Sequence, residues 1–180
     1  MINSSESDCP NLIENSKIIE GVKTLVFDRD GTINIDTGYV HKISEFEFTS
    51  KFLQLVPILQ KFKGNICITT NQGGVAIGKY SQADSLMFTK HLILAARNHG
   101  IDFNLVASCF HHDLDFCDFR KPSSGMLRLL EDMIKSEPRN YLLIGNNQKD
   151  EDVAKDRQVS YVDITSENLE STLVEWINAS

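Results

Sequence analysis

Long apolar runs are absent from this 180-residue chain. No stretch approaches the roughly 20 apolar residues that a helix needs to cross a bilayer. The polar first residues also lack the charged and then apolar pattern of a secretion signal. We therefore expect a cytoplasmic protein with no membrane partner. Internal repeats and low-complexity segments are absent too, and a chain of this length can bury one substantial core.

Positive charge is also scarce. Lys and Arg number 18 against 25 Asp and Glu, which gives a net charge of −7 at pH 7. No basic stripe runs along the chain, and this argues against general binding of nucleic acid. A small anionic substrate is still compatible with this balance, because a metal ion and a few local cations can reverse the sign of the potential inside a cleft.

Cysteine is limited to four residues, Cys9, Cys67, Cys109 and Cys117. An even number could form disulfides, but these are rare in cytosolic proteins, so free thiols or metal ligands are favoured. Cys67 lies inside an apolar segment, where a thiol usually serves as a small core side chain.

The most informative segment that is present joins a short apolar run to two aspartates. The run over 24–27 ends at Asp28, and Asp30, Gly31 and Thr32 follow. Reactive groups of α/β proteins collect outside the carboxyl ends of parallel strands. Two carboxylates this close repel unless a cation or proton lies between them. The pair predicts Mg²⁺ binding, with one carboxylate free to attack phosphorus; the alternative is an ordinary strand end and turn.

Short apolar segments alternate with helical patterns along the chain. The segments predicted as strands buried on both faces are 24–27, 66–70, 105–110, 141–144 and 161–164. Helical spacing is present at 52–59, 81–98, 123–135 and 167–177. The alternation indicates the α/β class: a doubly wound, Rossmann-like parallel sheet with helices on both faces, joined by right-handed crossovers.

The domain organisation follows from composition and spacing. Residues 1–20 are polar and are predicted to form a flexible N-terminal tail, and 21–180 a single domain. The stretch 36–47 is too long for a tight turn, so we expect a flap over the site. No segment of about 60 residues is left to build a large cap domain, and smaller domains are marginal.

Two further groups of polar residues follow predicted strands. Thr70, Asn71 and Gln72 precede Gly73 and Gly74, and such donors at a strand end form a plausible phosphate cradle. Arg120 and Lys121 stand before Pro122 and a predicted helix. They are suited to neutralise phosphoryl oxygens. The alternative is that they belong to a solvated loop before an ordinary helix start.

The run from Asp28 to Thr32 resembles the first motif of the haloacid dehalogenase (HAD) superfamily of phosphohydrolases. Its continuation to His41 is similar to one branch, the D-glycero-D-manno-heptose 1,7-bisphosphate phosphatases, with the histidinol-phosphate phosphatases nearby. The segment 38–41 favours the heptose enzymes. The resemblance covers residues 22 to 165, with a threonine motif at Thr70 and an Arg-Lys-Pro motif at Arg120.

This resemblance implies a reaction and a role for each residue. Asp28 would attack phosphorus and form an aspartyl-phosphate, Asp30 would act as general acid and base, and Thr70 and Lys121 would hold the phosphoryl group. It also implies heptose 1,7-bisphosphate as the substrate, in the pathway to ADP-heptose for lipopolysaccharide or another surface polysaccharide. We expect the protein to be a monomer. The substrate-binding residues would be Asn71, Gln72, Arg120 and Lys121.

One departure from the family affects the magnesium site. Asn146 stands after the strand at 141–144, where the family has an aspartate ligand beside Asp28 and Asp30; Asp150 fits a second acidic position. An amide oxygen can still coordinate a hard cation. It brings no charge, so the affinity for Mg²⁺ should fall.

A second departure affects a zinc loop that the heptose enzymes carry. Cys109, His111 and Cys117 match three of its ligands, and Phe119 replaces the fourth. A closed structural zinc site needs four ligands. His112, Asp113 or Asp115 could complete it. A family arginine near the paired glycines is also replaced, by Ile77.

Two other functions remain open at this stage. The first is hydrolysis of histidinol phosphate or another sugar phosphate by the same residues. The second is a degraded member that binds a phosphorylated ligand or partner without useful turnover. Asn146, Phe119 and Ile77 favour the second, and the intact Asp28 and Lys121 favour an enzyme.

Overall fold

The computed structural model describes residues 9–179. Six strands within this range form one sheet: β1 (Asn11–Glu14), β2 (Thr24–Phe27), β3 (Asn65–Asn71), β4 (Leu105–Cys109), β5 (Tyr141–Gly145) and β6 (Ser160–Asp163). Their order is β1-β4-β3-β2-β5-β6. Strands β2 to β6 are parallel, and β1 is antiparallel to β4.

Helices cover both faces of this sheet. They are α1 (Ser50–Leu59), α2 (Gln82–Asn98), α3 (Gly125–Ile134), α4 (Gln148–Arg157) and α5 (Leu169–Asn178). Residues of α1, α2 and α5 form one core, and residues of α3 and α4 form the other. Leu25 and Phe27 of β2 lie in the first core and Val26 in the second. Because β2 is buried on both faces, it reads as a continuous apolar run.

The predicted doubly wound α/β fold is confirmed, and no large cap domain interrupts it between residues 9 and 179. Each predicted strand is present within a residue or two, although β4 ends at Cys109 and not at Phe110. Helix α4 was not predicted, because its sequence is almost entirely polar and buries only Asp150, Val153 and Ala154. None of the helices between residues 9 and 179 has the length and apolarity that crossing a bilayer requires.

Part of the segment predicted as a flexible tail, residues 1–20, forms a strand in the structure. Strand β1 pairs Asn11–Glu14 with 105–108 of β4, and its side chains alternate between half-buried and exposed. Without β1, the edge of β4 would present unpaired backbone N–H and C=O groups. Hydrogen bonds to these groups explain why this segment of a mostly polar region forms a strand. Residues 1–8 lie outside the described range, and the single domain over 21–180 stays a prediction.

The order of the strands defines where a ligand should bind. From β2 the chain moves to β3 and β4 on one side, and it then places β5 and β6 on the other. Ligands of open α/β sheets bind at such a reversal, outside the carboxyl ends of the strands. Asp28 is the first residue after β2.

Candidate active site

A polar cavity of about 640 Å³ lies at the carboxyl ends of the central strands. Loops after β2, β3, β4 and β5 all contribute to its walls, and the predicted flap contributes Asp36 and 38–40. The volume is typical of sites for small molecules. The structure therefore brings the predicted residues Asp28, Asp30, Thr70 and Lys121 to one cavity.

A buried row of three charges forms its floor. Nζ of Lys121 donates to Oδ1 of Asp28 at 2.5 Å and to Oδ1 of Asp150 at 2.6 Å. Burial raises the pKa of Asp28 to about 7, although Lys121 acts in the opposite direction. Burial also opposes the charge of Lys121, but the two carboxylates outweigh it and raise its pKa. Two carboxylates and one ammonium leave one negative charge in excess, which a divalent cation would offset.

The backbone of Lys121 is fixed by Asn71 at the end of β3. The Asn71 amide donates to the carbonyl of Lys121 at 2.8 Å and accepts from its N–H at 3.0 Å. Nζ of Lys121 donates to the carbonyl of Thr69 at 3.0 Å. These contacts hold the ammonium beside Asp28, so Asn71 serves to place a catalytic candidate.

Asp30 is held by a complete set of donors. One oxygen accepts from Nε of Arg29 and Nδ2 of Asn34, both at 3.0 Å. The other accepts from Nε2 of Gln72 at 2.7 Å and lies 2.9 Å from Nη2 of Arg29. A carboxylate has about four acceptor positions, and all are used. Metal coordination by this carboxylate would therefore displace one of these donors.

Arg29 and Gln72 form a buried network behind Asp30. Oε1 of Gln72 accepts from Arg29 at 2.9 Å, from Tyr80 at 2.8 Å and from Ser85 at 3.3 Å. Its Nε2 also donates to Thr70 at 2.8 Å. Arg29 lies over the Phe88 ring, with 4.8 Å between its guanidinium carbon and the ring centroid. Arg29 and Gln72 are almost fully buried, so this network is a rigid support for Asp30 and Thr70.

Asn146 lies directly against the loop of the two aspartates. A Cβ atom on Gly31 would come within 2.1 Å of the Asn146 amide nitrogen, and Gly31 has a φ of +77°. Only glycine accommodates both this conformation and this approach. The carboxylates of Asp28 and Asp30 and the amide of Asn146 supply oxygen donors of the kind that Mg²⁺ prefers. The donor set therefore fits the predicted metal, and it contains one carboxylate fewer than the family pattern.

The rim of the cavity carries further cations. Nε of Arg120 donates to Asp113 at 2.5 Å, and Nζ of Lys149 donates to the same carboxylate at 3.2 Å. The hydrogen bond from Arg120 lowers the pKa of Asp113. Nη1 of Arg120 is buried and makes no hydrogen bond to any described residue. Its guanidinium lies against Gly73, at the edge of the phosphate cradle.

The flap is attached to the buried network. The carbonyl of Val40 accepts from Arg29 at 3.3 Å. The His41 ring stacks on Tyr80 with 4.8 Å between ring centroids. The N–H of Ile35 donates to the carbonyl of Glu47, and Asn34 forms an antiparallel bridge with Phe48; these contacts close the base of the flap. The flap is thereby fixed to the same residues that hold Asp30.

The predicted zinc ligands Cys109, His111 and Cys117 lie together beside this cavity. Cys9 joins them, and the ligand atoms of the four residues all lie within 4.8 Å of one another. Cys67 is buried in the core of the α3 face, as predicted.

Comparison with known proteins defines the family. The family model for polynucleotide kinase 3 phosphatase matches residues 23–165. The chain belongs to this HAD-like phosphatase family. Among curated relatives, a D-glycero-beta-D-manno-heptose-1,7-bisphosphate 7-phosphatase of Haemophilus influenzae is 33% identical over 134 residues, 71% of this chain and 73% of the relative. A D-glycero-alpha-D-manno-heptose-1,7-bisphosphate 7-phosphatase of Campylobacter jejuni is 34% identical over 128 residues, with the same shares covered.

Solved structures of HAD-like phosphatases share the fold. A Mesorhizobium loti protein described as a HAD-like phosphatase superposes with a TM-score of 0.85 at 19% identity, over 96% of this chain and 95% of the other. The D,D-heptose 1,7-bisphosphate phosphatase of B. bronchiseptica, complexed with magnesium and phosphate, superposes with a TM-score of 0.72 at 23% identity, over 78% of this chain and 79% of the other.

Membership of the HAD-like phosphatases confirms the resemblance inferred from sequence and the class of enzyme, a phosphoric monoester hydrolase. The individual site roles stay predictions. The substrate-binding role of Asn71 and Gln72 is one of them, and in this structure their side-chain amides are bonded to Lys121, Asp30 and Thr70. Sequence reasoning missed Arg29 as part of the site, because a charge next to Asp28 gives no sign that it is buried.

Proposed function

We propose that this phosphatase hydrolyses a phosphate monoester of a small phosphorylated sugar, and that the sugar is D-glycero-D-manno-heptose 1,7-bisphosphate. The observation that carries the proposal is the buried contact between Asp28 and Lys121 at the floor of a polar cavity. Relatives that are 33% and 34% identical to this chain over the aligned residues are named for that substrate, one for each anomer. The product would enter the pathway to ADP-heptose for lipopolysaccharide or another surface polysaccharide.

The positions of the side chains support the following chemistry. Asp28 attacks phosphorus in line and forms an aspartyl-phosphate, while Lys121 and Thr70 hold the transferring oxygens. Bound Mg²⁺, held by Asp28, Asp30 and Asn146, would neutralise the charge on those oxygens. Asp30 gives a proton to the leaving oxygen and then takes one from the water that cleaves the aspartyl-phosphate. For either step Asp30 must exchange one of its present donors for the substrate or the water.

The rim supports a substrate that carries a second phosphate. Nη1 of Arg120 is buried without a hydrogen-bond partner among the described residues, and Lys149 binds the same carboxylate as Arg120, that of Asp113. A planar guanidinium is well suited to bind phosphate with two hydrogen bonds. The flap adds Asp36, a carboxylate that can accept hydrogen bonds from sugar hydroxyls. A hydroxyl-rich bisphosphate matches this combination of groups.

Phosphate release from a panel of substrates tests the proposal. The panel contains both anomers of heptose 1,7-bisphosphate, fructose 1,6-bisphosphate, histidinol phosphate and an oligonucleotide with a 3′-phosphate, each with Mg²⁺. We expect the wild type to show its highest kcat/KM with one heptose anomer, and Asp28→Asn to release no phosphate from any substrate. Preference for the oligonucleotide or for histidinol phosphate would refute the sugar assignment.

A second candidate function rests on Asn146, which stands where the family pattern has an aspartate, so that the metal site has one carboxylate fewer. In that case the protein binds a phosphorylated ligand without useful turnover. Calorimetric binding of heptose bisphosphate, with no phosphate released by the wild type at saturating Mg²⁺, would favour this function over catalysis.

A further inference from the structure

The four-residue cluster beside the cavity has the dimensions of a tetrahedral metal site. The Sγ atom of Cys9 lies 3.5 Å from the Sγ atoms of Cys109 and Cys117, which are 3.8 Å apart. A zinc ion with Zn–S bonds of about 2.3 Å separates its sulfur ligands by about 3.8 Å. Disulfide bonds of about 2.05 Å are far shorter than these separations, and all four cysteines of the chain are free thiols.

The fold explains how a residue so distant in sequence reaches this cluster. Strand β1 runs antiparallel to β4 and pairs Asn11 with Ser108, so Cys9 lies beside the end of β4, where Cys109 is located. The loop after β4 then brings His111 and Cys117 to the same place. Three segments of the chain, one of them 100 residues away, supply the ligands.

Other side chains of the loop are bonded elsewhere. The carboxylate of Asp113 binds Arg120 and Lys149, and that of Asp115 accepts from the N–H of His112. Phe119, where the resemblance places a fourth cysteine, packs against a small apolar cluster that includes Met126. The fourth residue of the cluster is therefore Cys9, and not His112, Asp113 or Asp115 as predicted.

We infer that Cys9, Cys109, His111 and Cys117 bind one zinc ion, with Cys9 supplying the ligand that is missing at position 119. Four protein ligands leave no open coordination position, so the site is structural. Zinc binding releases the protons of the three thiols to solvent. The ion joins β1 to the loop that ends in Arg120 and Lys121. The inference concerns a site outside the catalytic cavity and is independent of the sugar assignment.

Metal analysis of the full chain, purified under reducing conditions without added zinc, provides the first test. We expect about one zinc per chain in the wild type and in Cys67→Ser, the matched control that removes a thiol outside the cluster. In Cys9→Ser, zinc affinity measured against a chromophoric chelator should fall by about tenfold or more, in line with the loss expected when a group supporting a metal site is removed.

Cobalt substitution reports directly on the thiolates. The wild type bound to Co²⁺ should show a thiolate-to-metal charge-transfer band in the near ultraviolet, and Cys9→Ser should show a band reduced by about one third, because two of three thiolates remain. Equal zinc affinity and equal cobalt spectra in the two proteins would overturn the inference, and so would a reduced wild type that takes up no zinc.

Thermal unfolding separates metal binding from a folding defect. After removal of metal, wild type and Cys9→Ser should melt within a few degrees of each other. Adding zinc should raise the melting temperature of the wild type more than that of the variant, because a ligand stabilises the state that binds it. If Cys9→Ser does not fold, Cys9→His, which retains a ligand, should bind zinc with a cobalt spectrum of two thiolates. A Cys9→His spectrum identical to that of the wild type would refute the role of Cys9.

Discussion

The side-chain amide of Gln72 donates a 2.7 Å hydrogen bond to Asp30, and its oxygen accepts from Arg29, Tyr80 and Ser85. Because three donors converge on the amide oxygen, the nitrogen can only face Asp30 and Thr70. The orientation of the acid/base candidate is therefore set by Gln72, which follows β3, and by the buried donors that hold the Gln72 amide.

Replacing Gln72 with glutamate should lower kcat by about tenfold to a hundredfold, since it removes a donor and places a second carboxylate beside Asp30. KM should change little, because the Gln72 side chain is buried. Steady-state kinetics of Gln72→Glu and of the control Gln60→Glu, which lies at the end of α1, check this. An unchanged kcat would show that Asp30 is positioned without Gln72.

Removing the buried ammonium should destabilise the protein. Lys121→Ala leaves Asp28 and Asp150 buried without their shared cation, and breaking a buried ion pair in this way costs about 3–5 kcal/mol. Lys149→Ala, which removes an exposed lysine of the rim, should cost much less. Urea unfolding in the presence of EDTA measures both.

The cost of Lys121→Ala should also depend on pH. Asp28 has a raised pKa in the folded protein, and loss of Lys121 raises it further. The folded state then binds more protons than the unfolded state, so stability falls as pH rises, and the variant should lose more stability at about pH 8 than at about pH 6. A loss that is equal at both pH values would show that Asp28 does not take up a proton in the variant.

Restoring the missing carboxylate should strengthen magnesium binding. Asn146→Asp is expected to lower the Mg²⁺ concentration for half-maximal phosphate release by about tenfold or more, because charged contacts are roughly twice as strong as neutral ones and tenfold corresponds to about 1.4 kcal/mol. Asn178→Asp is the control, since Asn178 is the last residue of α5 and does not line the cavity. If both variants behave as the wild type does, Asn146 is not a magnesium ligand.

The rim arginine should discriminate between bisphosphates and monophosphates. Arg120→Lys keeps the charge but loses the planar pair of donors, so KM for the sugar bisphosphate should rise about tenfold with kcat nearly unchanged. KM for a monophosphate should rise less. Arg97→Lys, on an exposed arginine at the end of α2, serves as the control. Equal effects on both substrates would place Arg120 at the reacting phosphate.

The residues that follow buried strands were predictable from the sequence. Asp28 follows β2 and Thr70 lies at the end of β3, and the carboxyl ends of parallel strands meet at one edge. Lys121 was predicted from its place before a helix and from the resemblance, and it lines the same cavity. The flap was predicted from its length alone, and residues 38–40 do line the cavity. These features depend on the local sequence and on the general geometry of a parallel sheet.

The features that sequence reasoning missed depend on contacts between distant segments. Strand β1 has only four residues and helix α4 is almost entirely polar, so neither shows an apolar pattern, and each is stabilised by its neighbours. The hydrogen bonds of Arg29 and Gln72 join β2, β3 and α2. Cys9 could have been suspected from an incomplete set of ligands, but its position follows only from the pairing of β1 with β4.

Strand β1 has a consequence for the solution behaviour of the protein. Strand β4, with all five residues buried, would become the sheet edge without it. An uncovered edge of an apolar strand is a template for pairing with another chain. Shortening the protein past Glu14 would therefore expose a surface prone to self-association, and the first strand protects the protein from aggregation as well as completing the sheet.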